Sequence, residues 1–284
     1  MSFPTVQTEF TTEDMEAFKP AMKVGILATV NDQGLPHLTL IASLMASGPR
    51  QVCWGQFVEG TSKEYIQRNP KVGFAIMTLN KELWRGKATF THARREGPEY
   101  DHYNNTPTFR YNAYFGIHTV YYMDLEGHTG RTKLPMGAVV LATVQTQLAR
   151  LQSRLRVKNW ALNPLTRQLV SKTGNLKFLS YVGSDGYPVI VPVLQAVASS
   201  PEHVLFAVSA YGDELRAIPA GATVALFAMS LDMEDVLVRG AYQGIKRWSG
   251  ADCAGVTVDW VYNSMPPVAG QIYPLLPLEA VRDI

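Results

Sequence analysis

Apolar and polar positions follow the same order in two separate parts of the chain. Residues 25–44 (GILATVNDQGLPHLTLIASL) form an apolar run, a polar turn and a second apolar run, and residues 177–196 (KFLSYVGSDGYPVIVPVLQA) repeat this pattern. Gly34 matches Gly186 at an offset of about 152 residues. Because glycine tolerates the positive φ of a tight turn, each segment predicts a β-hairpin.

The match continues downstream at the same offset, with a slip of two residues in the last pair. A short helix followed by proline, an apolar strand and an Arg-Gly strand recur in order: 62–66 with 214–218, 72–77 with 224–229, and 84–88 with 238–242. Agreement of turn, helix and strand order indicates an internal repeat.

Residues typical of a helix start predict one helix before the hairpin in each half of the chain. Thr12 is the expected N-cap of a helix over 12–22, because Glu13 and Asp14 then lie at the positive end of its dipole. Asn163 and Pro164 predict a helix over 164–172. Between the halves, residues 137–160 predict a connecting helix with one apolar face (Leu148, Leu151, Leu155).

These elements predict a mainly β (α+β) fold. Short strands separated by turns favour two antiparallel β-barrels with short flanking helices over a doubly wound parallel sheet. We expect a first barrel over 1–135, a connecting helix over 136–160 and a second barrel over 161–284.

Composition and charge exclude several classes of protein. Apolar residues make up 46% and charged residues 18%, which is incompatible with disorder, and the net charge of +2 gives no reason to expect nucleic acid as a partner. The one basic cluster (Arg150, Arg154, Arg156, Lys158) is interpreted as the solvated face of a helix. No stretch is long and apolar enough to cross a membrane.

The two cysteines, Cys53 and Cys253, lie in different halves and have no metal-ligand spacing, so neither a metal site nor a disulfide framework is expected. Together with an acidic N-terminus unlike a signal peptide, this favours a cytoplasmic location. Glycine-rich nucleotide motifs, a GxSxG elbow and the spacing of a nucleophilic triad are all missing from the sequence.

One segment has the features of an anion site. Residues 55–65 (GQFVEGTSKEY) leave a predicted strand over 51–57 and enter a helix that begins at Thr61 or Ser62. Two hydroxyl groups and the Lys63 amine at a helix N-terminus can contact a phosphate. The free backbone N–H groups of the first turn favour the negative charge of that phosphate. The alternative is that Thr61 and Ser62 only cap the helix and that Lys63 is solvated.

The hairpin LATVNDQGLPH, the element VEGTSKEYIQRNPKVGF and the strand WRGKATF resemble the FMN-binding split-barrel family related to pyridoxamine 5′-phosphate oxidase. The resemblance covers about residues 13–91 and is weaker over 175–244. It implies that Thr61, Ser62 and Lys63 hold the flavin phosphate. It also nominates Thr39 and Gln56 beside the flavin, and Trp84 on a strand that would contribute at a two-fold interface.

The resemblance therefore implies an FMN-dependent oxidoreductase of unknown substrate and electron donor, with a homodimer as one way to pair the barrels. The alternative is a non-catalytic carrier or sensor that holds flavin or haem. In the second copy, Tyr211-Gly212-Asp213-Glu214-Leu215 replaces Gly60-Thr61-Ser62-Lys63-Glu64. Two carboxylates would repel a phosphate, so we expect one competent site per chain.

Two further candidates have ordinary explanations. His37 could donate a proton, but an exposed strand histidine is the commoner case. The aromatic segment 100–122 could line a planar pocket, with Arg110 meeting an acidic substrate, or could simply pack against a barrel. Its aromatic and histidine residues are Tyr100, His102, Tyr103, Phe109, Tyr111, Tyr114, Phe115, His118, Tyr121 and Tyr122.

Overall fold

The computed structural model describes residues 7–56, 60–106, 116–153, 157–263 and 270–276. The chain divides into two compact units. The first contains Met1–Leu134 and Val182–Ile190, and the second contains Pro135–Tyr181 and Val191–Ile284. The linear boundary near residue 160 stays a prediction.

The first sheet is antiparallel, with strand order β2-β1-β5-β6-β7-β4-β3 and with β8 paired to β6. Its strands are β1 (Lys23–Val30), β2 (Pro36–Leu40), β3 (Met45–Gly48), β4 (Gln51–Gln56), β5 (Lys71–Thr78), β6 (Glu82–Arg94), β7 (Thr119–His128) and β8 (Thr132–Lys133).

The second sheet has the corresponding order, β10-β9-β13-β14-β15-β12-β11, with β16 paired to β15. Its strands are β9 (Leu176–Val182), β10 (Pro188–Pro192), β11 (Val197–Ala198), β12 (His203–Ala207), β13 (Thr223–Met229), β14 (Asp235–Trp248), β15 (Ala251–Asn263) and β16 (Gly270–Tyr273). The predicted mainly β fold with two tandem repeats is confirmed.

Both predicted hairpins form around a glycine with positive φ. Gly34 has φ +75° and Gly186 has φ +81°, in the left-handed region that a glycine adopts without strain. In the first turn the Asn31 side chain accepts from the N–H groups of Gln33 and Leu35, at 3.0 and 2.9 Å. The turn residues thus set the register that places Leu27 opposite Thr39.

Short helices flank the sheets. The described helices are α1 (Thr12–Phe18), α2 (Thr61–Arg68), α3 (Pro98–Asn105), α4 (Met136–Gln152), α5 (Pro164–Ser171) and α6 (Gly212–Arg216). Asn163 caps α5 as predicted, because its side chain accepts from Thr166 N–H. The predicted N-cap of α1 is wrong by one residue: Thr11 is the cap, and it forms a reciprocal capping box with Asp14.

Leu148 and Leu151 of the predicted apolar face lie on the exposed side of the connecting helix. On α4 the buried side chains are Val139, Ala142, Thr146 and Ala149, whereas Leu148 and Leu151 are 49% and 82% exposed. Leu155 lies outside the described residues. Small side chains let the helix approach β12, which explains why the larger residues are on the opposite face. The interpretation of the basic cluster as one helix face is wrong, because α4 ends at Gln152, before Lys158. Arg154 and Arg156 lie outside the described residues.

Candidate functional site

The N-terminus of α2 has no side-chain cap. Its N-cap is Gly60, which has an extended backbone and no side chain to accept from the first turn. The helix begins at Thr61, as predicted. The N-cap residue therefore leaves the first N–H groups without a side-chain acceptor, at the end of the helix where the dipole favours an anion.

Two side-chain contacts join this helix start to β2. The hydroxyl oxygens of Thr39 and Ser62 are 2.6 Å apart, and Thr61 Oγ1 lies 3.1 Å from His37 Nε2. Residues 37 and 39 share one face of β2 because strand side chains alternate. The structure thus brings Thr39 together with Thr61 and Ser62, which are distant from it in sequence.

His37 is buried, so the expectation of an exposed strand histidine is wrong. Its side chain is 3% exposed, and its ring packs edge-on against Tyr65 with the centroids 5.5 Å apart. Tyr65 lies one turn after Thr61 on α2, so the helix covers the histidine. Ser62 is also buried, whereas Thr61 and Lys63 are half-buried.

Gln56 ends β4 within an aromatic cluster. Tyr121 O–H donates to Gln56 Oε1 at 3.0 Å, and the Tyr121 ring stacks on Trp54 with the centroids 4.3 Å apart and an interplanar angle of 9°. The Trp54 side chain is 3% exposed, and its Nε1 has no hydrogen-bond partner among the described residues. A buried N–H without an acceptor is costly and therefore uncommon.

The sequence pattern does not single out Trp54. Its only signal is its position two residues before Gln56, which puts both side chains on one face of β4. The partner Tyr121 lies directly opposite Trp54 on β7, a pairing that only the sheet register reveals.

Trp84 is in the core, and no described contact joins it to Thr39, Gln56 or the start of α2. Its indole N–H donates to Asp14 Oδ1 at 2.8 Å, and its ring packs edge-on against Phe18. The following Gly86 is required by packing, because a Cβ there would lie 2.3 Å from the Phe74 ring. Trp84 thus attaches α1 to β6.

The aromatic segment supplies structural contacts where it is described. Tyr103 O–H donates to the Ser43 carbonyl at 2.7 Å, and Tyr122 O–H donates to Glu99 at 2.9 Å. Burial raises the pKa of both phenols. The remaining candidates of this segment, Phe109, Arg110, Tyr111, Tyr114 and Phe115, lie outside the described residues.

The second copy differs at the corresponding helix start. The helix α6 has five residues, its N-cap Tyr211 is in the left-handed region with φ 57°, and Asp213 and Glu214 occupy its first turn. Two acidic side chains satisfy the positive end of the dipole themselves. The local chemistry of this copy therefore disfavours an anion.

The described part of the chain has neither a metal-binding cluster nor a membrane-spanning helix. No group of three or more His, Cys, Asp or Glu residues there could hold a metal ion. No helix there is long and apolar enough to cross a membrane.

Comparison with solved structures finds similar folds of about one repeat in size. HupZ of Group A Streptococcus is 18% identical, with 42% of this chain and 91% of that chain covered and a TM-score of 0.35. An FMN-binding protein from Syntrophomonas wolfei is 15% identical, with 40% and 81% covered and a TM-score of 0.35. A candidate pyridoxamine 5′-phosphate oxidase from Lactobacillus delbrueckii is 20% identical, with 43% and 94% covered and a TM-score of 0.33.

The solved structures similar to this chain include an FMN-binding protein and a candidate pyridoxamine 5′-phosphate oxidase. At these identities the similarity concerns the fold alone. No protein-family model matches the chain, and no curated protein matches it.

Proposed function

We propose that this protein is an FMN-dependent oxidoreductase whose first repeat holds the flavin phosphate at the start of α2. The observation that carries the proposal is the pairing of two hydroxyl groups across elements, Thr39 with Ser62, at a helix start that has a glycine N-cap. Lys63 contributes the positive charge that a phosphate needs.

The residues present fit a phosphate. Hydroxyl groups can donate to its oxygens, and the uncapped N–H groups of the first turn point the same way. The one acidic residue of that turn, Glu64, is exposed. Thr61 is held by His37, and Ser62 by Thr39, so both side chains are oriented before any ligand binds.

The flavin ring is proposed to lie toward Thr39 and Gln56. Tyr121 orients the Gln56 amide by donating to its oxygen, which leaves the amide N–H₂ group to donate to a ring acceptor. Trp84 is left out of this proposed site because it is buried against α1. When bound, the isoalloxazine ring supplies electron or hydride transfer, and the protein positions it.

The first test measures FMN binding against riboflavin binding by fluorescence titration of the flavin-free protein. Because the two ligands differ only in the phosphate, a phosphate-anchored site must prefer FMN. Equal affinity for FMN and riboflavin would contradict the proposed phosphate anchor. Binding of neither ligand would contradict the proposed cofactor.

The second test is Lys63→Ala, with Lys133→Ala as a matched control. Lys133 is an exposed lysine of the same unit on β8. Loss of one charge-assisted contact should weaken FMN binding roughly 10- to 100-fold. Riboflavin binding and the control variant should be unchanged. If both lysine variants weaken FMN equally, the effect is one of overall charge and not of the site.

Oxidation of a reduced nicotinamide separates an enzyme from a carrier. Steady-state turnover by the flavin-loaded protein, lost in Lys63→Ala at low FMN and restored at saturating FMN, supports the oxidoreductase. A loaded protein that takes up no electrons from NADH, NADPH or dithionite would contradict it and favour the carrier or sensor. A haem Soret band in the purified protein would favour the haem-binding alternative.

A further inference from the structure

The second unit contains a basic cleft that the proposed flavin site does not use. It lies between Arg150 near the end of α4, Arg167 and Ser171 on α5, and Ser199 and Ser200 in the turn before β12. Its volume is about 280 Å³. None of the described residues that line it is acidic.

The two arginines have no acidic partner in the described part of the chain. Neither guanidinium group forms a side-chain hydrogen bond or an ion pair there, unlike Arg216, which pairs with Asp252 at 3.0 Å. The carboxylate of the turn, Glu202, accepts from the Lys158 N–H and from Asn159 Nδ2, at 2.7 and 3.1 Å. Two cations facing one cleft repel each other unless an anion lies between them.

Two side chains of the cleft are held by the surrounding protein, Arg167 by packing and Ser171 by a hydrogen bond. The Arg167 Nε atom is covered by protein and has no hydrogen-bond partner, so packing and not an ion pair holds this side chain. Ser171 Oγ accepts from Ala198 N–H at 3.0 Å, so its own hydrogen can be donated to a ligand. Ser200 is committed to His203 Nδ1 at 2.8 Å.

We propose that this cleft binds the phosphate group of a small phosphorylated molecule. Guanidinium groups match phosphate oxygens with pairs of parallel N–H donors, and a serine hydroxyl adds a third direction for a tetrahedral anion. The volume is near the lower end for small-molecule sites, which suits a phosphomonoester with a few carbon atoms. None of these residues belongs to the proposed FMN site, so the two proposals stand or fall separately.

The test is calorimetric titration of the full-length protein with inorganic phosphate and with glycerol 3-phosphate, at constant ionic strength. Binding should be saturable, with glycerol 3-phosphate at least as tight as phosphate. Arg167→Gln should weaken binding by at least tenfold, and the double variant Arg150→Gln/Arg167→Gln should abolish it. Arg167→Lys keeps the charge but loses the paired donors, so it should bind with intermediate affinity.

Two controls separate this cleft from other sources of binding. Arg247→Gln removes an exposed arginine from the same unit and should change nothing. Lys63→Ala should also leave phosphate binding at the cleft intact. Any binding that is lost in this variant takes place at the start of α2 and not in the cleft. Thermal melting confirms that each variant is folded.

Three results would overturn the proposal: no saturable binding, saturable binding that survives the double arginine variant, or equal loss in Arg247→Gln. Binding of inorganic phosphate without glycerol 3-phosphate would contradict the assigned class of ligand.

Discussion

Two backbone groups determine the protonation state of His128. Its Nδ1 accepts from Gly130 N–H at 3.2 Å, and its Nε2 lies 3.0 Å from the Glu9 carbonyl. A carbonyl oxygen only accepts, so Nε2 carries the hydrogen and the neutral tautomer is specified. Burial lowers the pKa of His128, and a proton added at Nδ1 would break the Gly130 contact.

We expect the free energy of unfolding to fall as the pH decreases from 7.5 to 5.5. Burial lowers the folded-state pKa of both His128 and His203 below 6.5. The unfolded chain therefore binds protons first as the pH falls, which disfavours the folded state. Urea unfolding should show a smaller pH effect in His128→Gln, and the exposed His118→Gln should match the wild type. An unchanged pH dependence in His128→Gln would contradict this assignment.

Both thiols should be inert in the folded protein. Cys53 and Cys253 are 0% and 1% exposed, and burial raises their pKa to about 12 and about 11. Since the thiolate is the nucleophile, reaction with an aromatic disulfide reagent at pH 8 should be negligible in the native state. In denaturant two thiols per chain should react. Rapid native labelling of either cysteine would show that its unit opens locally.

At the scale of single residues, the sequence reveals the polar groups of the proposed site more readily than the aromatic groups beside Gln56. Thr61 and Ser62 are recognisable because hydroxyl residues after glycine are typical of a helix start. Trp54 is not, because many buried strand tryptophans only pack. Its unpartnered N–H and its stacking on Tyr121 depend on β7 lying beside β4.

At the scale of elements, α4 shows how size can override hydrophobicity. The sequence pattern grouped its leucines on one face, but the structure buries the face that carries alanine, valine and threonine. The buried Thr146 explains part of the choice, since its Oγ1 accepts from Ala207 N–H at 2.8 Å. The helix thereby supplies a partner for a backbone group of β12, which a leucine could not do.

Substitutions on the two faces of α4 should separate these assignments. Ala142 is 0% exposed, so Ala142→Leu should overpack the interface and lower the free energy of unfolding by about 1–3 kcal/mol. Leu148→Gln on the exposed face should change it by less than about 0.5 kcal/mol. Chemical denaturation measures both. The reverse order of costs would show that the leucine face is the buried one.

At the scale of the whole molecule, the two repeats share a backbone hydrogen bond between corresponding residues. Ile41 N–H donates to the Gly25 carbonyl at 2.7 Å, and Val193 N–H donates to the Lys177 carbonyl at 2.9 Å. The side chains at these positions have diverged. Gly25 leaves no room for a Cβ, whereas Lys177 is buried and its Nζ donates to the Leu194 carbonyl. Burial lowers the pKa of Lys177 to about 8.

Divergence at the α2 and α6 starts leads us to expect one FMN per chain. Placing two carboxylates in the first turn of α2, as in α6, by Thr61→Asp and Ser62→Glu should abolish FMN binding through repulsion of the phosphate. Thr61→Asn and Ser62→Gln, similar in size but uncharged, serve as the control and should retain measurable binding. Absorbance of the loaded protein gives the ratio of flavin to chain. A ratio of two would show that the acidic copy also binds.

The sequence by itself determined the hairpins, the repeat, the mainly β class and the start of α2, because turn glycines, strand alternation and helix-start residues act over a few neighbouring positions. The tertiary structure decided which side of α4 is buried, that Trp84 belongs to the core and that His37 is covered by Tyr65. It also decided that Arg150 and Arg167 share a cleft. These outcomes depend on groups far apart in the chain, whose pairing follows from sheet register and side-chain volume.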